Sequence, residues 1–331
     1  MSETASPLIA VDRLAVSFGD PARPLAAVRQ VSFTLAPGGT LGIVGESGSG
    51  KSMTARALIG LLPESARVSG TVAFDGRDLL ANRERDWEAV RGRQIGMVFQ
   101  EPMTALNPAH RIGDQIAEGL IHHHLLDRRA ARAEALRLIE RVGIARGRER
   151  IDAYPHELSG GQRQRVMIAM ALACKPSLLI ADEPTSALDV TIQAQIVELL
   201  SELRAEYGLA LIVISHDLGV IADLTERTLI LYGGRVMEEG GTSALFRAPA
   251  HPYTRGLLAA RPGRHKAKGE HLDAIPGNVP AIADFPPGCP FFGRCTDGTE
   301  RCRLQVPPPV AVGDSLARCW FPQGQASGGQ A

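Results

Sequence analysis

The order of apolar and polar positions alternates short hydrophobic runs with longer segments of helical periodicity. Four runs have the length and composition of buried strands, and they cover residues 41–44, 96–99, 178–181 and 211–214. Helices are predicted at about residues 52–62, 162–174 and 191–207. This alternation predicts an α/β core with a mostly parallel sheet.

Two regions depart from that alternation. Residues 111–150 are rich in Arg, Glu and Ala with helical periodicity, which predicts a helical insert at about residues 101–175. From Pro249 onward the chain holds 12 of its 22 prolines and four of its five cysteines. Because proline limits long helices and central strands, residues 256–331 are predicted to form a small, loop-rich extension of a domain formed by residues 1–255.

Composition narrows the class of protein. Hydrophobic residues make up 44% of the 331 residues, which is enough for a sizeable core. Lys plus Arg and Asp plus Glu both number 36, so a generally basic nucleic-acid-binding protein is not indicated. No secretory signal pattern precedes residue 8, and no apolar run approaches the roughly 20 residues that span a bilayer. If this protein works at a membrane, another chain must provide the span.

A phosphate-binding loop is the first chemical motif. The chain reads Gly-x4-Gly-Lys-Ser after a predicted strand and before a predicted helix, which is the context this motif requires. Backbone N–H groups and the helix dipole favour an anion there, with Lys51 reaching the β- and γ-phosphates of ATP and Ser52 holding Mg²⁺. The predicted nucleotide contacts of this stretch are Gly45, Glu46, Ser47, Gly48, Ser49, Gly50, Lys51, Ser52 and Met53.

Two acids end a later apolar strand. Asp182 and Glu183 are predicted to lie at the carboxyl edge of the sheet, beside the phosphates. Asp182 would hold Mg²⁺, and Glu183 would orient or deprotonate the attacking water. The alternative is an ordinary capped turn, because Pro184 follows.

The stretch Ser159-Gly160-Gly161-Gln162 precedes another predicted helix. Ser159 and Gln162 have the spacing of a capping box, which leaves the two glycines unexplained. Glycine in a first turn costs roughly 0.5–1 kcal/mol relative to alanine, so close approach of another group to the backbone is indicated. We interpret this helix end as a second phosphate-binding site that serves ATP bound to another subunit.

Together these motifs resemble those of ABC transporter nucleotide-binding subunits, over roughly residues 8–255. The resemblance implies a RecA-like ATPase core with an antiparallel β subdomain and an inserted helical subdomain. It assigns Gln100 to Mg²⁺ and water, residues 186–189 to the dimer interface and His216 to the γ-phosphate. Phe18 would stack on adenine, although its alternation with residues 14 and 16 also allows it to face the core. Two such domains would close head-to-tail around two ATP molecules.

Further stretches resemble the dipeptide and oligopeptide import subfamily, which also includes importers of nickel and glutathione. They are residues 105–108 with 112–116, residues 154–157, residues 251–254, and residues 287–291 with 294–295. The resemblance implies a second ATPase subunit, identical or paralogous, with two transmembrane permeases and an extracytoplasmic solute-binding protein. The chain would then lie peripherally at the cytoplasmic face of the cell membrane. The alternative is a soluble ABC ATPase that acts on DNA or ribosomes. The lack of sustained heptads between the motifs argues against action on DNA, and the single nucleotide domain argues against action on ribosomes.

Four cysteines lie in the C-terminal extension: Cys289, Cys295, Cys302 and Cys319. Structural disulfides are rare in the cytoplasm, so a metal site that closes a small fold is indicated, with zinc possible and free or paired thiols as the alternative. The resemblance implies a [4Fe–4S] cluster held by these four thiolates. Cys174 lies in an apolar run and is predicted to be a buried core residue.

Overall fold

The structure is a computed structural model that describes residues 6–260 and 275–323. These residues divide into two compact units. The first unit contains Leu35–Thr40 and Ala81–Ile214. The second unit contains Ile9–Thr34, Leu41–Leu80 and the described residues from Ser215 onward.

The strands, in chain order, are β1 (Ile9–Phe18), β2 (Leu25–Leu35), β3 (Thr40–Val44), β4 (Arg67–Phe74), β5 (Arg77–Asp78), β6 (Ile95–Val98), β7 (Leu178–Asp182), β8 (Ala210–Ile214), β9 (Arg227–Tyr232), β10 (Arg235–Gly241), β11 (Val310–Val312) and β12 (Ser315–Ala317). The helices are α1 (Lys51–Leu58), α2 (Glu84–Glu88), α3 (Pro102–Ala105), α4 (Ile112–His122), α5 (Arg128–Arg141), α6 (Gly147–Arg150), α7 (Gly160–Leu172), α8 (Val190–Tyr207), α9 (Leu218–Leu224), α10 (Thr242–Arg247), α11 (Pro252–Ala259) and α12 (Glu300–Leu304). Short 3₁₀ turns occupy Leu79–Ala81, Pro155–Glu157 and Phe292–Arg294.

The first unit is built on parallel strands in the order β6-β7-β8. Every residue of β7 and β8 is buried, which is why these strands read as continuous apolar runs in the sequence. Helices α4, α5 and α7 pack on one another, and α7 also packs on β6. The helical insert expected between residues 111 and 150 is therefore present as α4, α5 and α6.

The second unit contains two groups of strands. Strands β2-β1-β4-β5 form a sheet in which β4 is antiparallel to β1 and β5, as expected for the antiparallel β subdomain. Strands β11-β12-β10-β9-β3 are neighbours in that order, with β3 and β9 parallel and the other described pairs antiparallel. Thus β12, from the predicted C-terminal extension, pairs with β10, which lies in the predicted domain of residues 1–255. The predicted boundary after residue 255 falls inside α11.

Two helix ends differ from the sequence prediction. Helix α1 stops at Leu58 rather than continuing to residue 62, because Gly60 adopts a left-handed conformation with φ 63° and closes the last turn. Helix α7 begins at Gly160 because Ser159 caps it. Within the described residues, no helix is long and apolar enough to cross a membrane.

Candidate functional site

The phosphate loop connects β3 to α1 in the second unit, and its shape depends on glycine. Gly48 and Gly50 have φ values of 76° and 99°, which other residues rarely adopt. A Cβ atom on Gly50 would lie 2.6 Å from the carbonyl oxygen of Ala27, and one on Gly45 would lie 2.2 Å from that of Leu231. The loop therefore runs against neighbouring backbone, with no room for side chains at these two positions.

The start of α1 suits an anion. Its N-cap, Gly50, has no side chain, and the first turn holds no acidic residue. The buried Lys51 ammonium donates to the carbonyl oxygens of Gly45 at 2.7 Å and Glu46 at 3.1 Å. Within the described part of the chain, the buried Ser49 hydroxyl has no hydrogen-bond partner. A helix start without a capping side chain, its dipole and a folded-back lysine fit the phosphates of ATP.

Glu46 has two partners that the sequence did not indicate. Its backbone N–H donates to the Tyr253 hydroxyl at 2.9 Å, and its carboxylate pairs with the guanidinium of Arg294. Ser47 and Gly48 are exposed, whereas Ser52 and Met53 are half-buried. The prediction that Glu46 contacts the nucleotide remains a prediction, but its contacts in this structure hold the loop itself.

Phe18 and His216 also lie in the second unit. Phe18 ends β1 and is half-buried, whereas Leu14 and Val16, which precede it at the same alternation, are fully buried. Phe18 is therefore not a fully buried core residue, which is compatible with the predicted adenine stacking. His216 is exposed directly after Ser215, whose N–H donates to the Ile43 carbonyl oxygen at 3.2 Å.

The two acids end β7 in the first unit. Asp182 and Glu183 are 3% and 7% exposed, so little solvent reaches either carboxylate. The Glu183 N–H donates to the Ile214 carbonyl oxygen at 2.8 Å, and its backbone has a φ of 52°. A non-glycine residue in this conformation is strained, and such strain is concentrated at functional sites. The fixed backbone sets the direction in which the Glu183 side chain leaves the strand.

Gln100 is joined to this corner through Ser186. The Ser186 hydroxyl lies 3.3 Å from the Gln100 carbonyl oxygen and 3.1 Å from that of Glu183. Gln100 is exposed after β6, which is the strand next to β7. The first unit thus brings together Gln100, the strand that carries Asp182, and Glu183. The turn that was the alternative explanation of the two acids is also present. It includes Pro184, and the Ser186 N–H donates to the Glu183 carbonyl oxygen.

Ser159 and Gln162 form the expected capping box at the start of α7. The Ser159 hydroxyl accepts from the Gln162 N–H at 3.3 Å, and the Gln162 side chain accepts from the Ser159 N–H at 3.0 Å. The two glycines have different explanations. A Cβ on Gly161 would lie 2.7 Å from Ile192, so packing within the chain excludes a side chain there. A Cβ on the exposed Gly160 would meet only Leu188, at an ordinary 3.8 Å.

The sequence interpretation treated both glycines as evidence of close approach by another group. Gly161 does not support it, because Ile192 already accounts for its small size. Gly160 does, since nothing in the described residues requires glycine at this position. Of the two glycines, only Gly160 therefore supports the approach of a phosphate from another subunit to this helix start.

All five cysteines of the chain are free thiols. Cys289, Cys295, Cys302 and Cys319 line one small cavity of the second unit, with apolar walls from Pro252, Phe291, Phe292, Pro307 and Phe321. Burial raises the pKa of Cys289 to about 12 and that of Cys319 to about 11. Cys174 is half-buried, not fully buried as predicted.

A site for one metal ion is a separate question. Among the described residues, no group of three or more His, Cys, Asp or Glu side chains lies close enough to hold an ion directly. The zinc alternative, which needs four ligands around one atom, gains no support from this arrangement. Comparison with known proteins supports neither zinc nor an iron–sulfur cluster at these cysteines.

Two family models match the chain. The model for ABC transporters matches residues 28–186, and the model for the C-terminal region of oligopeptide/dipeptide transporters matches residues 237–302. The oligopeptide transport ATP-binding protein OppD of Salmonella typhimurium is 48% identical over 319 residues, covering 96% of this chain and 95% of the relative. A putative peptide import ATP-binding protein of Brucella abortus is 46% identical over 320 residues, covering 93% and 95%.

Solved structures agree with the fold. A dimeric ATP-binding cassette, MJ0796, in a post-hydrolysis state with ADP and phosphate has a TM-score of 0.64 and 28% identity, covering 71% of this chain and 98% of its own. The protein cbiO1 from Clostridium perfringens, part of the ABC transporter complex cbiONQ, has a TM-score of 0.62 and 26% identity, covering 73% of this chain and 91% of its own. The fold and the motifs therefore define an ABC-type ATPase. The chain belongs to the ABC transporter family of ATP-binding proteins, in the group that contains the oligopeptide transport ATP-binding proteins.

The two glycines at the start of α7 give a matched pair of variants. Gly160→Ala should keep the free energy of unfolding or raise it by up to about 1 kcal/mol, because the added methyl group has room and alanine favours the helix. It should nevertheless lower ATP hydrolysis by about tenfold or more, since it obstructs a phosphate from a second subunit. Gly161→Ala should lower the free energy of unfolding by about 1–3 kcal/mol, because it overlaps Ile192.

Urea unfolding and phosphate release measured on the same preparations separate the two effects. Wild-type hydrolysis by a folded Gly160→Ala variant, under conditions where wild type is active, would show that no phosphate approaches this helix end.

Proposed function

We propose that this chain is the ATP-hydrolysing subunit of an importer that carries peptides across the cell membrane. The observation that carries this proposal is its similarity, over nearly the whole chain, to OppD, together with the match to the oligopeptide/dipeptide C-terminal model. Its partners would be a second ATPase subunit, two membrane permeases and an extracytoplasmic solute-binding protein. The chain would lie peripherally at the cytoplasmic face of the membrane. These similarities do not favour the alternative of action on DNA or ribosomes.

In the proposed site, the phosphate loop and the start of α1 bind the phosphates of ATP, and Phe18 stacks on adenine. The exposed residues Ser47 and Gly48 and the Lys51 ammonium are suited to the β- and γ-phosphates. Ser52, Gln100 and Asp182 would hold Mg²⁺, which neutralises charge on the phosphate oxygens when it is bound.

Hydrolysis then needs a base and a sensor of the γ-phosphate. Water attacks the γ-phosphorus, the bond from that phosphorus to the bridging oxygen of ADP breaks, and Glu183 takes the proton that the water loses. Two features suit Glu183 to this role: its low exposure, and a backbone fixed by its hydrogen bond to Ile214. His216 contacts the γ-phosphate, and Gln100 orients the water.

A second subunit completes the site. Ser159, Gly160, Gly161 and Gln162 of one chain approach the γ-phosphate bound to the other chain. The Ser159 hydroxyl can do this while capping α7, because a hydroxyl has a donor in addition to its acceptor lone pairs. Gly160 leaves the helix start open on the outside.

Glu183→Gln tests both the chemistry and its coupling to transport. The variant should still bind ATP but lose turnover by about 10²–10⁴-fold, because the amide cannot accept the proton. It should also trap the closed pair of ATPase subunits and abolish uptake. Phosphate release and uptake of a labelled tripeptide are measured together in vesicles that contain the permeases, both ATPase subunits and the binding protein.

Lys51→Ala is the matched control, because it should lose nucleotide binding itself. Wild-type hydrolysis by Glu183→Gln would remove Glu183 from its role. Vesicles that take up nickel or glutathione but no peptide would contradict the proposed substrate class.

We also propose that Cys289, Cys295, Cys302 and Cys319 hold a [4Fe–4S] cluster. Each thiolate of such a cluster binds a different iron, so the four sulfurs need not converge on one atom, whereas zinc requires that they do. The shared cavity is one observation in favour. When bound, the cluster would close a segment that has little secondary structure of its own.

Anaerobic purification tests the cluster. The wild-type chain should be brown, with about four iron atoms and about four sulfide ions per chain. Cys302→Ser should lower both contents, whereas Cys174→Ser, which changes a thiol away from the cavity, should retain them. A colourless, iron-free wild-type protein, or one with stoichiometric zinc, would contradict the cluster.

A further inference from the structure

Arg294 lies in the Cys-rich C-terminal segment, and its guanidinium makes several hydrogen bonds, including two to Glu46 of the phosphate loop. Its side chain is only 6% exposed. The guanidinium binds both carboxylate oxygens of Glu46, with Nη1 at 2.5 Å from Oε2 and Nη2 at 3.2 Å from Oε1. Its Nε donates to the Pro276 carbonyl oxygen at 2.8 Å, and its Nη2 donates to that of Gly277 at 3.2 Å. This fork geometry fixes the direction of the carboxylate as well as its distance.

Glu46 is the residue through which the loop is held. Its carboxylate binds Arg294, and its N–H donates to the Tyr253 hydroxyl. Its carbonyl oxygen accepts from the Ser49 N–H at 3.2 Å and from the Lys51 ammonium at 3.1 Å. Every polar group of this one residue therefore has a partner, and two of those partners lie beyond residue 250.

Aromatic packing supports the same connection. The rings of Tyr232, Tyr253 and Phe291 have centroids 4.7–5.3 Å apart. Phe291 belongs to the Cys-rich segment, only three residues before Arg294. The Arg294 Nη1 group also lies 3.3 Å from the Tyr232 hydroxyl. The carboxylate contact is thus part of a packed patch and not an isolated surface pair.

The turn between β9 and β10 makes a second connection. The Gly234 N–H donates to the Ser49 carbonyl oxygen of the loop at 3.1 Å. On the adjacent Gly233, a Cβ would lie 2.7 Å from Pro290 and 2.9 Å from Phe285. The Cys-rich segment thus packs directly against a turn that itself contacts the loop.

We propose that Arg294 is a positioning residue for ATP: it holds Glu46, and through Glu46 it keeps the phosphate loop in its nucleotide-binding shape. The proposal rests on the proposed function, in that the loop binds ATP. The C-terminal segment that carries the cysteines thereby determines the affinity of the ATP site. Arg294 acts through Glu46 and has no role in the chemical step.

This role makes a different prediction from a purely structural one. A loop held in advance binds its ligand without an ordering cost, and loosening the loop weakens binding while leaving the reaction itself intact. Loss of Arg294 should therefore raise the Kd and KM for ATP and change kcat little. A structural role alone would change thermal stability and leave the Kd of the folded protein unchanged.

Arg294→Gln in the full-length chain is the test, with Kd measured by titration of a fluorescent ATP analogue with Mg²⁺. The expected rise in Kd is about tenfold, with kcat at saturating ATP within about twofold of wild type. Glu46→Gln should give a similar rise. The double variant should be no worse than either single one, because both remove the same contact. Arg294→Lys should restore part of the affinity.

Arg255→Gln is the matched control. Arg255 pairs with Asp297 at 3.4 Å in the same region, but both side chains are more than 40% exposed, so its Kd should equal that of wild type. An unchanged Kd in folded Arg294→Gln, or additive effects in the double variant, would overturn the proposal. If Arg294→Gln does not fold, Glu46→Gln decides the matter alone, since it keeps the side-chain size. Failure of wild type to bind the analogue would instead overturn the proposed function.

Discussion

The site depends on the N-terminus of α1, which has no side-chain cap of its own. The N-cap is glycine, so no capping side chain covers the positive end of the helix dipole. The surroundings hold this arrangement in place. Gly50 lies against the Ala27 carbonyl oxygen, the β9–β10 turn bonds to Ser49, and Glu46 is bound by Tyr253 and Arg294. An anion bound at this helix start would interact favourably with the positive end of the α1 dipole.

Helix α7 presents the opposite solution to the same problem. Ser159 and Gln162 cap its first turn, so this helix is stable without a ligand. Its exposed start still has a hydroxyl proton to donate and, at Gly160, an open backbone. The start of α1 has no capping side chain, which favours an anion bound to the same chain. The start of α7 is capped and exposed, which favours contact with an anion bound to another subunit. This difference suits an active site that is assembled only when two subunits meet.

Much of the fold was predictable because its signals are local. Buried strands such as β7 and β8 read as apolar runs, and the loop, acid and capping motifs are contiguous in sequence. The predicted end of α1 was wrong because Gly60, a local helix-ending signal, was not taken into account. Other features were missed because the residues that explain them are distant in sequence. Ile192 explains Gly161 from another helix, and Arg294 reaches Glu46 across 248 positions. No periodicity or spacing encodes such contacts, so only the folded chain reveals them.

The central claim is that this chain carries complementary halves of two active sites and no complete one. The most direct test titrates the partner ATPase subunit, which is a second portion of this chain or its paralogue, into a fixed and dilute amount of this chain. We expect ATP hydrolysis per chain to rise from near zero and to saturate once every copy of this chain has a partner subunit. Hydrolysis that is already maximal in the dilute chain and unchanged by the partner would contradict it.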